Sequence, residues 1–195
     1  MTIRFPLATS TWDAAEYAAM AKVIASGMFT MGPLVAEFER AFADYQGSDY
    51  AVMVNSGSSA NLLMVAALFY TSNERHKLKA GDEVLVPAVS WATTYYPLAQ
   101  YGLKQKFVDI DTETLNYDLD ALAAAITDQT RAIMVVNLLG NPNDFAAIKQ
   151  LIGDRDIVLI EDNCESLGAE FGGRKAGSSG LMGSFSSFFS HHIAT

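Results

Sequence analysis

Apolar and polar positions along the chain follow two regimes, with the change near residue 50. Before it, apolar residues recur at three- and four-residue spacing, as in helices with one covered face. Ser10-Thr-Trp-Asp13 supplies cap residues for a helix over 14–24, which Ser26-Gly27 closes. Residues 28–32 read as a turn, and Pro33 suits the first position of a second helix over 34–45. Its Val35, Phe38, Phe42 and Tyr45 share a face, which is predicted to be buried. After Tyr50, short apolar runs alternate with helical stretches, the pattern of a parallel sheet with crossover helices. The predicted strands are 51–54, 83–86, 106–109, 132–136 and 157–160, and the predicted helices 59–69, 93–101, 119–126 and 145–152. Pro97 is expected to shorten or kink the second of these helices. Residues 71–81, basic and turn-rich, read as a surface loop.

Composition narrows the function classes. Half of the 195 residues are apolar, enough for a substantial core in one domain or two small ones. The net charge of −9, with carboxylates scattered along the chain, argues against nonspecific binding to nucleic acid or to an anionic membrane surface. An anionic ligand must therefore be held locally. The single Cys164 makes no internal disulfide, suits a reducing compartment, and reads as a small buried hydrophobe. The first seven residues lack the basic flank and apolar core of a signal peptide, and no stretch reaches the roughly 18 apolar residues of a membrane span, so a cytoplasmic protein is expected. The sequence stops on Ile193-Ala-Thr195 directly after an apolar strand, which suggests a fragment or an edge strand.

Ligands of parallel α/β sheets sit at the carboxyl ends of the strands, so the residues just after each run carry the chemical information. Asn55-Ser-Gly-Ser-Ser-Ala-Asn61 puts a glycine turn and free amides at a helix start, an anion site with Gly57, Ser58 and Ser59 as donors, or else an ordinary capped turn. Neither a Walker lysine nor a Gly-x-Gly-x-x-Gly pattern is present, which argues against a nucleoside triphosphatase and a dinucleotide fold. Trp91 lies where a flat ring can stack on a flat ligand, although packing is the commoner use of tryptophan. The strand ending Glu161-Asp162 brings two carboxylates beside a buried run, so at least one must face a cation, a metal or backbone donors. Two of the three histidines, His191 and His192, follow the aromatic stretch Ser187-Phe-Phe-Ser190, as structural hydrogen-bonding groups or as acid–base candidates.

Together Asn55–Asn61, Pro87-Ala-Val-Ser-Trp-Ala-Thr-Thr94, Phe107-Val-Asp-Ile-Asp111, Asn137-Leu-Leu-Gly-Asn-Pro142, Glu161-Asp-Asn-Cys-Glu-Ser166 and Ser187-Phe-Phe-Ser-His-His192 resemble the DegT/DnrJ/EryC1/StrS sugar aminotransferase family of fold type I pyridoxal phosphate enzymes. The resemblance implies an α/β fold: the large domain of a fold type I transferase, with a mostly parallel central sheet, helices on both faces, and truncation at the C-terminus. It divides the chain into a helical segment at about 10–46 and a cofactor-binding domain at about 47–195, without the family's small C-terminal domain.

Where the family carries the lysine that tethers the cofactor, this sequence has His192. Imidazole cannot form that tether, so an ordinary lysine-dependent aminotransferase cycle is unavailable to this position. The sequence thereby resembles the branch of 3-dehydratases acting on 4-keto-6-deoxy nucleotide sugars. The implied roles are Asp162 on the pyridine nitrogen, Trp91 stacked on the ring, Glu165 near its hydroxyl, and Gly57, Ser58 and Ser187 on the phosphate. The family usually has glutamine in place of Glu165, so this carboxylate is expected to need a proton or a cationic neighbour. His192 is the implied base, helped by an unperturbed imidazole pKa of about 6.5 against about 10.4 for lysine. His191 orients or packs. The implied cofactor is noncovalent pyridoxamine or pyridoxal phosphate, regenerated by L-glutamate. The implied substrate is GDP-4-keto-6-deoxy-D-mannose, on a route to a colitose-type deoxysugar of surface polysaccharide, and the implied assembly is a homodimer.

Two other readings stay open. One is an aminotransferase using another lysine, with Lys175 nearest in sequence; the other is a noncatalytic module that keeps the fold for binding or dimerisation. As a fragment, the chain is expected to lack residues for sugar and nucleotide and to be inactive alone.

Overall fold

The computed structural model describes residues 12–188 and 190–191. By contact density the chain divides into two units, one formed by 1–54 with 187–195 and the other by 55–186.

In the first unit, α1 (Ala14–Ser26) starts at a reciprocal capping box between Asp13 and Glu16 and ends at Gly27 in the left-handed region. Helix α2 (Pro33–Gln46) begins on its proline and ends at Gly47. The helices match the predicted ones closely, but the buried face does not follow. Helix α1 buries no residue and α2 buries only Ala43 and Gln46, while Phe38 and Tyr45 are nearly half exposed. On α2 the aromatic rings of Phe38, Phe42 and Tyr45 pack on one another. The strand predicted at 51–54 is not formed: its residues join no ladder among the described residues, and the Met53 N–H donates to the Glu39 carboxylate instead.

The second unit is built on a five-stranded sheet in the order β2-β1-β3-β4-β7, parallel throughout. Its strands are β1 (Glu83–Pro87), β2 (Lys104–Val108), β3 (Thr130–Val136), β4 (Val158–Asp162) and β7 (Met182–Ser184). A two-stranded antiparallel hairpin, β5 (Glu170–Phe171) with β6 (Arg174–Lys175), turns at Gly172-Gly173. Strand β4 runs on through the two carboxylates. Strand β7 ends at Ser184, so Phe185 and Phe188 lie beyond it rather than within a strand.

Strands buried on both faces read as continuous apolar runs, and alternate residues go to opposite sides. Val84, Val86, Ala132, Met134, Val158 and Ile160 pack with Met64, Val65 and Leu68 of α3 (Gly57–Tyr70) and Leu98 of α4 (Ala92–Gln100). Leu85, Ile133, Val135 and Leu159 pack on the other side with Leu122 of α5 (Leu119–Ala125) and with Phe145, Ile148 and Ile152 of α6 (Phe145–Ile152). A fully buried Val, Leu, Ile, Met or Phe among them contributes about 1.5–3 kcal/mol relative to exposure.

The order places α4 and α5 on opposite faces for a simple reason. The chain moves from β1 outward to β2, then reverses past β1 to β3, and right-handed crossovers in opposite directions must use opposite sides. That reversal opens a crevice at the carboxyl ends of β1 and β3.

Candidate active site

Residues at the carboxyl ends of β1, β3 and β4 converge with the start of α3. Ser56 caps α3, its hydroxyl accepting from the Ser59 N–H at 3.1 Å. The Gly57 and Ser58 amides lie in the first turn, where no intrahelical acceptor exists. A Cβ at position 57 would come within 2.6 Å of the Ser186 Cβ and 2.8 Å of the Cys164 Sγ. Only hydrogen fits there, so backbone is brought close to the β4 end of the sheet, as an anion cradle requires. Ser58 is exposed.

Asp162 closes β4 and is 5% exposed. Its Oδ2 accepts from Asn61 Nδ2 and from Thr94 Oγ1, both at 2.8 Å, and its Oδ1 accepts from the Cys164 N–H at 3.1 Å. Helix capping is therefore not its task. Trp91 stands at the start of α4, 76% exposed, and its carbonyl accepts from the Thr94 N–H. One helical turn thus joins an exposed indole to the buried carboxylate. Glu165 follows two residues after the Asn163 turn, and its Oε2 accepts from the Leu139 N–H at 3.1 Å. A backbone donor is thus one of the partners of Glu165. Leu139, in the 3₁₀ turn after β3, takes a left-handed φ of 53° that a non-glycine residue seldom adopts.

The neighbouring Glu161 is wholly buried and faces the backbone donors that its position demanded. It accepts from the Gly177 and Ser179 N–H groups at 2.7 Å each, from Gly180 N–H, and from Asn137 Nδ2 at 3.3 Å. The Cys164 thiol is half-covered; burial, with the Asp162 carboxylate next in effect, pushes its pKa far above the ordinary range. Cys164 is thus a protonated packing group, as its isolation in the sequence suggested.

Gly57, Ser58, Trp91, Asp162 and Glu165 accordingly belong to one unit and one end of its sheet. Ser187 falls in the other unit and is exposed. His192 lies outside the described residues. His191 is described: its ring stands edge-on to that of Phe188, and its N–H donates to the Phe188 carbonyl. Sequence reasoning did not single out Asn61, Thr94 or Ser184. The available signal was Asn61 itself, a lone amide heading the apolar run Leu62-Leu-Met-Val-Ala-Ala-Leu-Phe69. Among the described residues no group of three or more His, Cys, Asp or Glu side chains is placed to hold a metal, and no helix is long and apolar enough to cross a membrane.

A glycine-started helix thus lies at the same end of the sheet as a buried aspartate, with an exposed indole between them in sequence, and residues 10–195 match the DegT/DnrJ/EryC1/StrS aminotransferase family. The chain belongs to that family. Within it, the chain is 63% identical over 193 residues to the GDP-4-keto-6-deoxy-D-mannose 3-dehydratase of Escherichia coli O55:H7, covering 99% of this chain and 49% of that enzyme. The solved E. coli enzyme with bound hydrated PLP superposes with a TM-score of 0.95 at 62% identity, over 100% of this chain and 49% of that one. A crystal structure of GDP-4-keto-6-deoxymannose-3-dehydratase with a trapped PLP-glutamate geminal diamine also gives a TM-score of 0.95 at 62% identity, over 98% of this chain and 49% of the other. The chain thus spans about half the length of the curated relatives it matches.

Proposed function

We propose that this chain is the cofactor-binding part of a 3-dehydratase that removes the C3 hydroxyl from a 4-keto-6-deoxy nucleotide sugar, with GDP-4-keto-6-deoxy-D-mannose as substrate. The observation that carries the reading is His192 standing in the family's lysine position, in a chain 63% identical to an enzyme of that activity. The amine form of the cofactor supplies an electron sink joined to the sugar's C4, which lets a proton be taken from the cofactor and the C3 hydroxyl depart.

The residues present fit such a group. The cradle kept open at Gly57 offers the Gly57 and Ser58 amides to a phosphate; for Ser187 the phosphate role rests on the family resemblance. Asp162, its carboxylate fixed by three donors, accepts from the ring nitrogen. Trp91 offers its exposed face for stacking, and Glu165 meets the ring hydroxyl. His192 takes and returns the proton, a step in which a positioned group contributes about a hundred- to ten-thousand-fold in rate. Because the amine nitrogen would leave with the sugar and be released from it as ammonia on hydrolysis, L-glutamate would supply a new amine after each turnover. The bound hydrated PLP and the PLP–glutamate species of the solved relatives support an untethered cofactor and this amino donor.

The reading includes a helical segment at about 10–46 before the cofactor-binding domain, a homodimer, a cytoplasmic location and a role in colitose-type deoxysugar synthesis for surface polysaccharide. It is tested by incubating the full-length enzyme that carries this chain with pyridoxamine phosphate, L-glutamate and GDP-4-keto-6-deoxy-D-mannose. Ammonia and a 3-deoxy-4-keto sugar are expected; an amino sugar as product would replace the reading with an aminotransferase.

A further inference from the structure

The Asp162 carboxylate is held from behind by side chains that belong to none of the roles above. Asn61 is fully buried one turn into α3, the helix whose first residues form the anion cradle. Both hydrogens of its amide are used: one goes to Asp162 Oδ2 at 2.8 Å and the other to the Thr93 carbonyl at 3.3 Å. That carbonyl is open because Pro97, four residues on within α4, has no N–H to donate to it. The amide oxygen accepts from Ser184 Oγ on β7 at 2.6 Å, which fixes which end of the amide faces the aspartate.

Thr94 completes the clamp. Its hydroxyl donates to Asp162 Oδ2 at 2.8 Å and, having spent its hydrogen there, accepts from Ser90 Oγ at 2.8 Å. Asp162 Oδ2 thus carries two side-chain donors, an amide and a hydroxyl, and Oδ1 the Cys164 N–H, which leaves Oδ1 the oxygen more open to another donor.

We infer that Asn61 and Thr94 are positioning residues that saturate Asp162 Oδ2 and present Oδ1 to a protonated ring nitrogen, setting the distance between that contact and the phosphate cradle on the same helix. The inference rests on the cofactor reading given above. Asn61 is suited to the task because it ties α3 to β4, α4 and β7 through one rigid amide, so the two ends of the cofactor are referenced to a single helix.

The test separates ring-nitrogen recognition from general stability. Binding of pyridoxamine phosphate is compared with that of its 1-deaza analogue, in which C–H replaces the ring nitrogen, by calorimetry on wild type, Asn61→Leu and Thr94→Val. Wild type is expected to prefer the nitrogen-containing ligand, and each variant to lose about tenfold of that preference while holding the deaza analogue about as well as wild type does. Thr94→Val is nearly isosteric and carries the test if thermal unfolding shows Asn61→Leu to be misfolded. Variants that weaken both ligands equally, or that keep the wild-type preference, overturn the inference and leave the cofactor reading standing. A wild type that binds neither ligand, or does not distinguish them, overturns the cofactor reading itself.

Discussion

A methyl group at position 57 would press on the Ser186 Cβ and the Cys164 Sγ at less than the distance packed atoms tolerate. Gly57→Ala is therefore expected to push α3 away from β4 and to lower affinity for pyridoxamine phosphate more than about tenfold, with a smaller loss of melting temperature. Unchanged affinity in a titration would show that the cradle lies elsewhere. Cys164 makes a second prediction at this scale. Its thiol pKa is raised in the fold, so the stabilisation it brings is complete below the unfolded thiol's ordinary value of about 8.5 and is lost as pH rises past it. Urea midpoints should fall above that pH in wild type and fall less in Cys164→Ala, and iodoacetamide should label Cys164 at pH 8 only after unfolding. Rapid labelling of the folded protein would contradict a half-covered thiol held protonated. Residue types at 57, 91 and 162 could be read from sequence because each is the rare choice for its place. Asn61 and Thr94 could not, since their value depends on what β4 and α4 bring next to them.

Among the elements, β4 does most to organise the site. Its last two side chains point to opposite tasks: Asp162 toward Asn61 and Thr94, and Glu161 into the loop 177–180 that leads to β7. Glu161→Leu would orphan three backbone N–H groups and is expected to destabilise the fold by about 3–5 kcal/mol in denaturant titration, with faster amide exchange at 177, 179 and 180. Normal stability in that variant would mean the loop is held by other contacts. The strands at 83–86, 132–136 and 157–160 were legible because a strand covered on both faces must be apolar throughout. The run at 51–54 has the same composition but no ladder, and composition alone does not supply a neighbour. Proline at position 97 marked a kink in the sequence; in the fold it marks an open carbonyl that Asn61 fills.

At the scale of the whole molecule, a net charge of −9 sets aside long-range attraction for a phosphorylated ligand, which is why the proposed recognition relies on local donors such as the α3 amides. The family and the α/β layering were legible from motifs spread over nearly the entire chain. The burial expected for the α2 face was not found, because periodicity reports which residues share a face and not what lies against it. The central claim is chemical: with His192 in the lysine position, the cofactor is held without a covalent bond. Reducing the pyridoxal phosphate-loaded protein with borohydride and weighing it by mass spectrometry tests this directly. The account predicts the unmodified protein mass with all cofactor released on denaturation; a pyridoxyl adduct on any lysine, Lys175 included, would contradict it.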